Sequence, residues 1–149
     1  MLKGIQNFFN QFLDQNTAAG DTEHRLQLAT AALLIEVMRT DDQDHEQEQA
    51  VLLSRLQQKF QIEPDRCTEI IRLAESEISQ STDYHQFTRL INEQFSQQQK
   101  THVIELMWEI AWADGELDPW EEHLIRRVAD LIYISHADFI AAKLAATPK

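Results

Sequence analysis

The chain has 149 residues, 43% of them apolar, with three Gly, three Pro and one Cys. That is one domain with enough apolar residues to build a core, which excludes a disordered chain. Its formal charge of −12 argues against a nucleic-acid backbone or anionic lipid as the main partner and favours cations or basic protein surfaces.

Residues 2–14 place Ile5, Phe8, Phe9, Phe12 and Leu13 on one stripe of a short helix. Such a stripe offers peripheral membrane contact through Ile5, Phe8, Phe9 and Phe12, or folds back on its own domain. A hinge, QNTAAG at 15–20, then separates this unit, 1–20, from the main domain, 21–149. Asp21 or Thr22 can cap a helix to about Arg39, apolar nearly all round from Ala29 to Met38 and therefore central. A third helix is expected over Glu46–Phe60, with Val51, Leu52, Leu56 and Phe60 inward. Pro64 sits at a typical first helical position, and Cys67, Ile70, Ile71, Ala74 and Ile78 follow as the next stripe. Cys67 there reads as a buried, inert thiol. Asp83 can start a fifth helix through Tyr84, Phe87, Leu90, Ile91 and Phe95. Ser96 with Gln99 makes a capping-box pattern for a sixth, whose Trp108 and Trp112 lie opposite Val103, Leu106, Met107 and Ile110. The seventh is expected from Pro119 to about Tyr133. Ser135 and Asp138 open the last, with Phe139, Ala142 and Ala146 inward. No strand and no apolar run near the ~18 residues of a membrane span is found, so a cytoplasmic, all-α bundle of about seven to eight helices is expected.

Two stretches carry eleven of the twelve net negative charges. Glu109–Glu122 has six acids and no base; Glu36–Glu48 has six acids and one Arg. At an offset of 73 they superpose: Glu36 on Glu109, Asp41 on Asp114, His45 on Asp118 and Glu48 on Glu121. Val51 and Leu52 then fall on Leu124 and Ile125, and Phe60 on Tyr133. One residue is lost in the connection, and Cys67 and Ile70 fall on Phe139 and Ala142. This pattern reads as two duplicated helical units, each with an acidic interhelical turn, joined by the helix at 83–95.

The run Ala113-Asp114-Gly115-Glu116-Leu117-Asp118-Pro119-Trp120-Glu121, preceded by Glu109, resembles the TerB family, the tellurite-resistance TerB-like helical proteins. The resemblance covers roughly residues 22–146. The first copy departs from the pattern, with Asp42 at the Gly position, Asp44 at the apolar one and His45 at the second Asp. The resemblance implies an all-α domain with two acidic clusters for divalent metal, in a setting of metal stress or membrane-linked chemical defence. It also implies a tie to membrane-anchored cochaperones, where TerB-like domains stand beside J-domains, and it brings no enzymatic activity.

The acids divide by position. Asp118, Pro119 and Glu121 read as N-cap, first position and capping-box partner of the seventh helix. Glu36, Asp41, Glu109 and Asp114 lie near helix C-termini, where added negative charge is unfavourable by about 0.3–1 kcal/mol. Glu36 and Glu109 are also set in apolar sequence, so each must be protonated, paired with a base or bound to a cation. Arg55, Arg126 and Arg127 are available bases. For a cation, Glu109 and Asp114 can face Asp118 and Glu121 across the bend, an all-oxygen set suited to Ca²⁺, Mg²⁺ or Mn²⁺. Glu36, Asp41, His45 and Glu48 are the matching set, with His45 adding nitrogen.

The leading expectation is a non-enzymatic module with one or two divalent-cation sites that acts through a protein partner. The alternative is a metal-free interaction module whose acidic corners dock basic surfaces, with Trp108, Trp112 and Trp120 as an aromatic hot spot. No nucleophile signature or paired Glu-x-x-His is present, so no catalytic residue is assigned.

Overall fold

Proline and serine caps set where several helices begin. The computed structural model describes residues 3–13, 22–40, 46–80, 86–113 and 115–146, which form α-helices and no strand. Helix α1 (Lys3–Phe8) runs into a π-helical turn (Phe9–Leu13). It is followed by α2 (Thr22–Thr40), α3 (Glu46–Phe60), α4 (Pro64–Gln80) and α5 (Gln86–Gln94). Then come α6 (Gln97–Ala111), α7 (Pro119–Leu131) and α8 (His136–Ala146). Pro64 and Pro119 open their helices as expected. The capping box at α6 is complete: the Gln99 amide donates to Ser96 Oγ and the Ser96 amide to Gln99 Oε1. The expected starts at Asp21 and Asp83, with Tyr84, and the hinge at 15–20 lie outside the described residues.

Helix α2 is the centre. Every residue from Leu28 to Met38 is buried, and α2 packs on α3, α4, α5, α6, α7 and the π-helical turn. Thr30 lives there because its hydroxyl donates back to the Leu26 carbonyl at 2.7 Å. Helix α6 packs on α2, α7 and α8, which buries Trp108 completely and Trp112 in part. Cys67 is buried, and burial pushes its thiol pKa up, the inert state expected.

The N-terminal stripe is inside. Ile5, Phe8, Phe9 and Leu13 are all buried, against α2, α4 and α5. The Phe8 ring meets Phe87 and the Phe9 ring meets Phe95, at centroid distances of 6.0 and 6.1 Å. The Arg66 guanidinium lies 3.7 Å over the Phe12 ring. Of the two placements expected for this stripe, the one folded back on the domain is found, with Phe12 half-buried, because α4 and α5 offer an apolar wall. No helix among the described residues is long and apolar enough to cross a membrane.

The α3–α4 and α7–α8 connections share one construction. Gln61 and Tyr133 adopt left-handed backbone, with φ of 53° and 61°. The next residue, Ile62 or Ile134, is buried and donates its amide five residues back, to Gln57 or Ala129. This is a Schellman ending followed by a buried isoleucine. It corrects two expectations. Helix α7 stops at Leu131, before Tyr133. Phe60 is buried while Tyr133 is 74% exposed, so the expected match of Phe60 with Tyr133 does not extend to burial; the buried residue before each left-handed position is Phe60 or Ile132. Val51 is corrected too: it is 50% exposed, because Leu52, Leu56 and Phe60 form the inward row of α3 and Val51 stands about 100° away from it.

Candidate functional site

Glu36 is 2% exposed near the end of α2 and faces the start of α5. Its Oε2 accepts from the Phe87 amide at 2.7 Å. Its Oε1 accepts from the Thr88 amide at 3.1 Å and the Thr88 hydroxyl at 2.7 Å. Phe87 and Thr88 lie in the first turn of α5, whose amides have no partner within their own helix. The carboxylate thus caps a helix some fifty residues away in sequence, where the dipole favours negative charge. The positive partner expected for Glu36 includes the backbone amides of Phe87 and Thr88, with the Thr88 hydroxyl beside them.

Glu121 holds a second buried carboxylate, 5% exposed. Arg55 Nη1 donates to both of its oxygens, at 2.9 and 2.8 Å. The capping-box role expected of Glu121 is therefore corrected: α3 supplies a guanidinium, and a charged partner is the stronger acceptor's choice in a buried setting. Asp118 does cap α7, its Oδ1 accepting from the Trp120 amide at 2.7 Å. Glu122 pairs with Lys143 of α8 at 2.7 Å.

These contacts bring the two acidic corners together. Gln47, Glu48, Val51 and Arg55 of α3 line one open cleft of about 230 Å³ with Asp118 and Glu121 of the second corner. The sequence presents these corners as separate sites; the fold makes Glu48 a neighbour of Asp118 and Glu121. Glu36 is not part of this cleft, being turned to α5. Glu109 is half-buried near the end of α6 and has no hydrogen-bond or ion-pair partner among the described residues. Asp41, His45 and Asp114 lie outside the described residues.

Two of the described metal candidates, Glu36 and Glu121, are already taken up by protein donors. Both oxygens of Glu36 face α5 donors and both oxygens of Glu121 face Arg55. Among the described residues no group of three or more His, Cys, Asp or Glu side chains could hold an ion. Two of the three tryptophans expected as a hot spot, Trp108 and Trp120, are core residues.

Residues that the sequence reading left out include His102, Glu23 and Glu105. His102 contacts both acids at 2.9–3.0 Å. The spacing of His102 and Glu105 was visible on one helix face, but the approach of Glu23 from α2 was not.

A family model, tellurite resistance protein TerB, matches residues 27–144. No curated protein and no solved structure matches the chain.

Proposed function

The chain belongs to the TerB family of tellurite resistance proteins, and on that basis we propose that it is a non-enzymatic binding module whose composite acidic cleft docks a basic segment of a protein partner. One observation carries this reading: Glu48, Asp118 and Glu121 from both corners line a single cleft together with half-exposed Val51. A lysine or arginine entering there meets carboxylates, and its aliphatic stem lies along Val51. Arg55 pairs with Glu121, and a lining of three acids against one base keeps the cleft negative toward a basic guest. The family suggests the setting, a complex of metal-stress or membrane-linked defence.

Titrating a lysine- and arginine-rich peptide into isotope-labelled protein tests the reading. The amide resonances of Glu48, Val51 and Asp118 should move first, and Glu48→Lys should weaken binding about fivefold or more. Shifts elsewhere on the surface, or equal binding by the variant, would overturn it.

A divalent cation is the second reading, favoured by half-buried Glu109 with no partner among the described residues. Calorimetric titration of chelator-treated protein with Ca²⁺, Mg²⁺ and Mn²⁺ separates the two. Saturable heat below about 1 mM favours the cation; its absence removes it.

A further inference from the structure

His102 stands on α6 where its ring meets carboxylates from two helices. Nε2 lies 2.9 and 3.0 Å from the two oxygens of Glu23, in the first turn of α2. Nδ1 lies 3.0 Å from Oε1 of Glu105 on α6 itself. An ionised carboxylate only accepts hydrogen bonds, and a neutral imidazole has one N–H and one bare lone pair. With a neutral ring, one of these contacts would set a lone pair against a carboxylate oxygen at about hydrogen-bond distance. The cluster therefore holds one proton more than a neutral histidine between two carboxylates.

We propose that this proton is a latch that clasps the first turn of α2 to α6, engaged at mildly acidic pH and released as the pH rises. His102 and Glu105 also line an open groove of about 450 Å³ with Leu26, Gln98, Gln99 and Thr101. Release of the latch frees the α2 side of that groove, so its width follows pH. The charges facing the ring are Glu23 and Glu105; none comes from the described residues of α3, α7 or α8, which also pack on α6. His24, beside Glu23, turns to Gln27 at 3.4 Å.

The electrostatics agree in sign. Burial alone lowers the imidazole pKa, but the hydrogen bonds from both acids and their charges outweigh it, and the net direction is up. A raised folded-state pKa makes the latch fully stabilising below the ordinary histidine value of about 6.5, and that contribution is lost as pH rises through the higher folded value.

The test follows the His102 ring by NMR in the full chain between about pH 5 and pH 9. Hydrogen exchange of the Leu26 and Gln27 amides is measured at both sides of the transition and corrected for intrinsic rates. The His102 midpoint should lie above the ordinary value and fall in both Glu23→Gln and Glu105→Gln. Protection of those amides should drop about two- to fivefold on the alkaline side, the range of exposed ion pairs, and His102→Gln should abolish that pH dependence. A midpoint at or below the ordinary value overturns the latch, as does pH-independent protection in the wild type. So does a pH dependence that survives in His102→Gln.

Discussion

Three hydrogen bonds converge on Glu36, and all three come from the first turn of α5. A glutamine there keeps one acceptor oxygen but turns an NH₂ toward a backbone amide, so a donor faces a donor. Glu36→Gln should therefore cost about 2–3 kcal/mol, read as a lower midpoint in urea unfolding, since buried donors left unmet cost about 1–3 kcal/mol. A loss well under 1 kcal/mol would show that solvent reaches the site. That Glu36 needed a positive partner was legible from its apolar neighbours Ile35 and Val37. Its donors on α5 were not, because the Phe87 and Thr88 amides and the Thr88 hydroxyl are brought near only by tertiary folding. Arg55 shows the same limit: it was a named candidate base, and the fold gives it to Glu121.

At the scale of elements, starts were easier to read than ends. Pro64, Pro119 and Ser96 announce their helices through local chemistry. The end of α7 hides, because a Tyr fills the left-handed position where Gly would have marked it. Left-handed backbone costs a residue with a Cβ about 1–2 kcal/mol. Gln61→Gly relieves that cost at the equivalent turn, offset by the extra freedom glycine has when unfolded. A rise in Tm of about 1–3 °C is expected by calorimetry; an unchanged or lower Tm would mean that the Gln61 side chain contributes a compensating contact. Val51 was misread for a related reason. A helical row is narrow, and one position of rotation separates a core residue from an exposed one.

At the scale of the molecule, the all-α class followed from composition and period, but the joining of the two acidic corners did not. No local pattern places Glu48 beside Asp118 and Glu121. The family match begins at residue 27, yet the core extends before it to Ile5, Phe8 and Phe9. Phe9→Ala should consequently lower stability by about 3–4 kcal/mol, as in any packed core, measured by denaturant titration; a cost below about 1 kcal/mol would make the N-terminal helix an appendage. Helix α5 bears a different kind of dependence. At nine residues it is shorter than the ~12–15 that hold an isolated helix. Its start is held by α2 through Glu36, and Asn92 ties it to the Leu131 carbonyl of α7. Those supports must exist before α5 can persist, so in time it is expected to assemble after them. Stopped-flow measurements on Glu36→Gln should then show a faster unfolding arm and a refolding arm that overlays the wild type, making α5 the last helix to join and the first to leave.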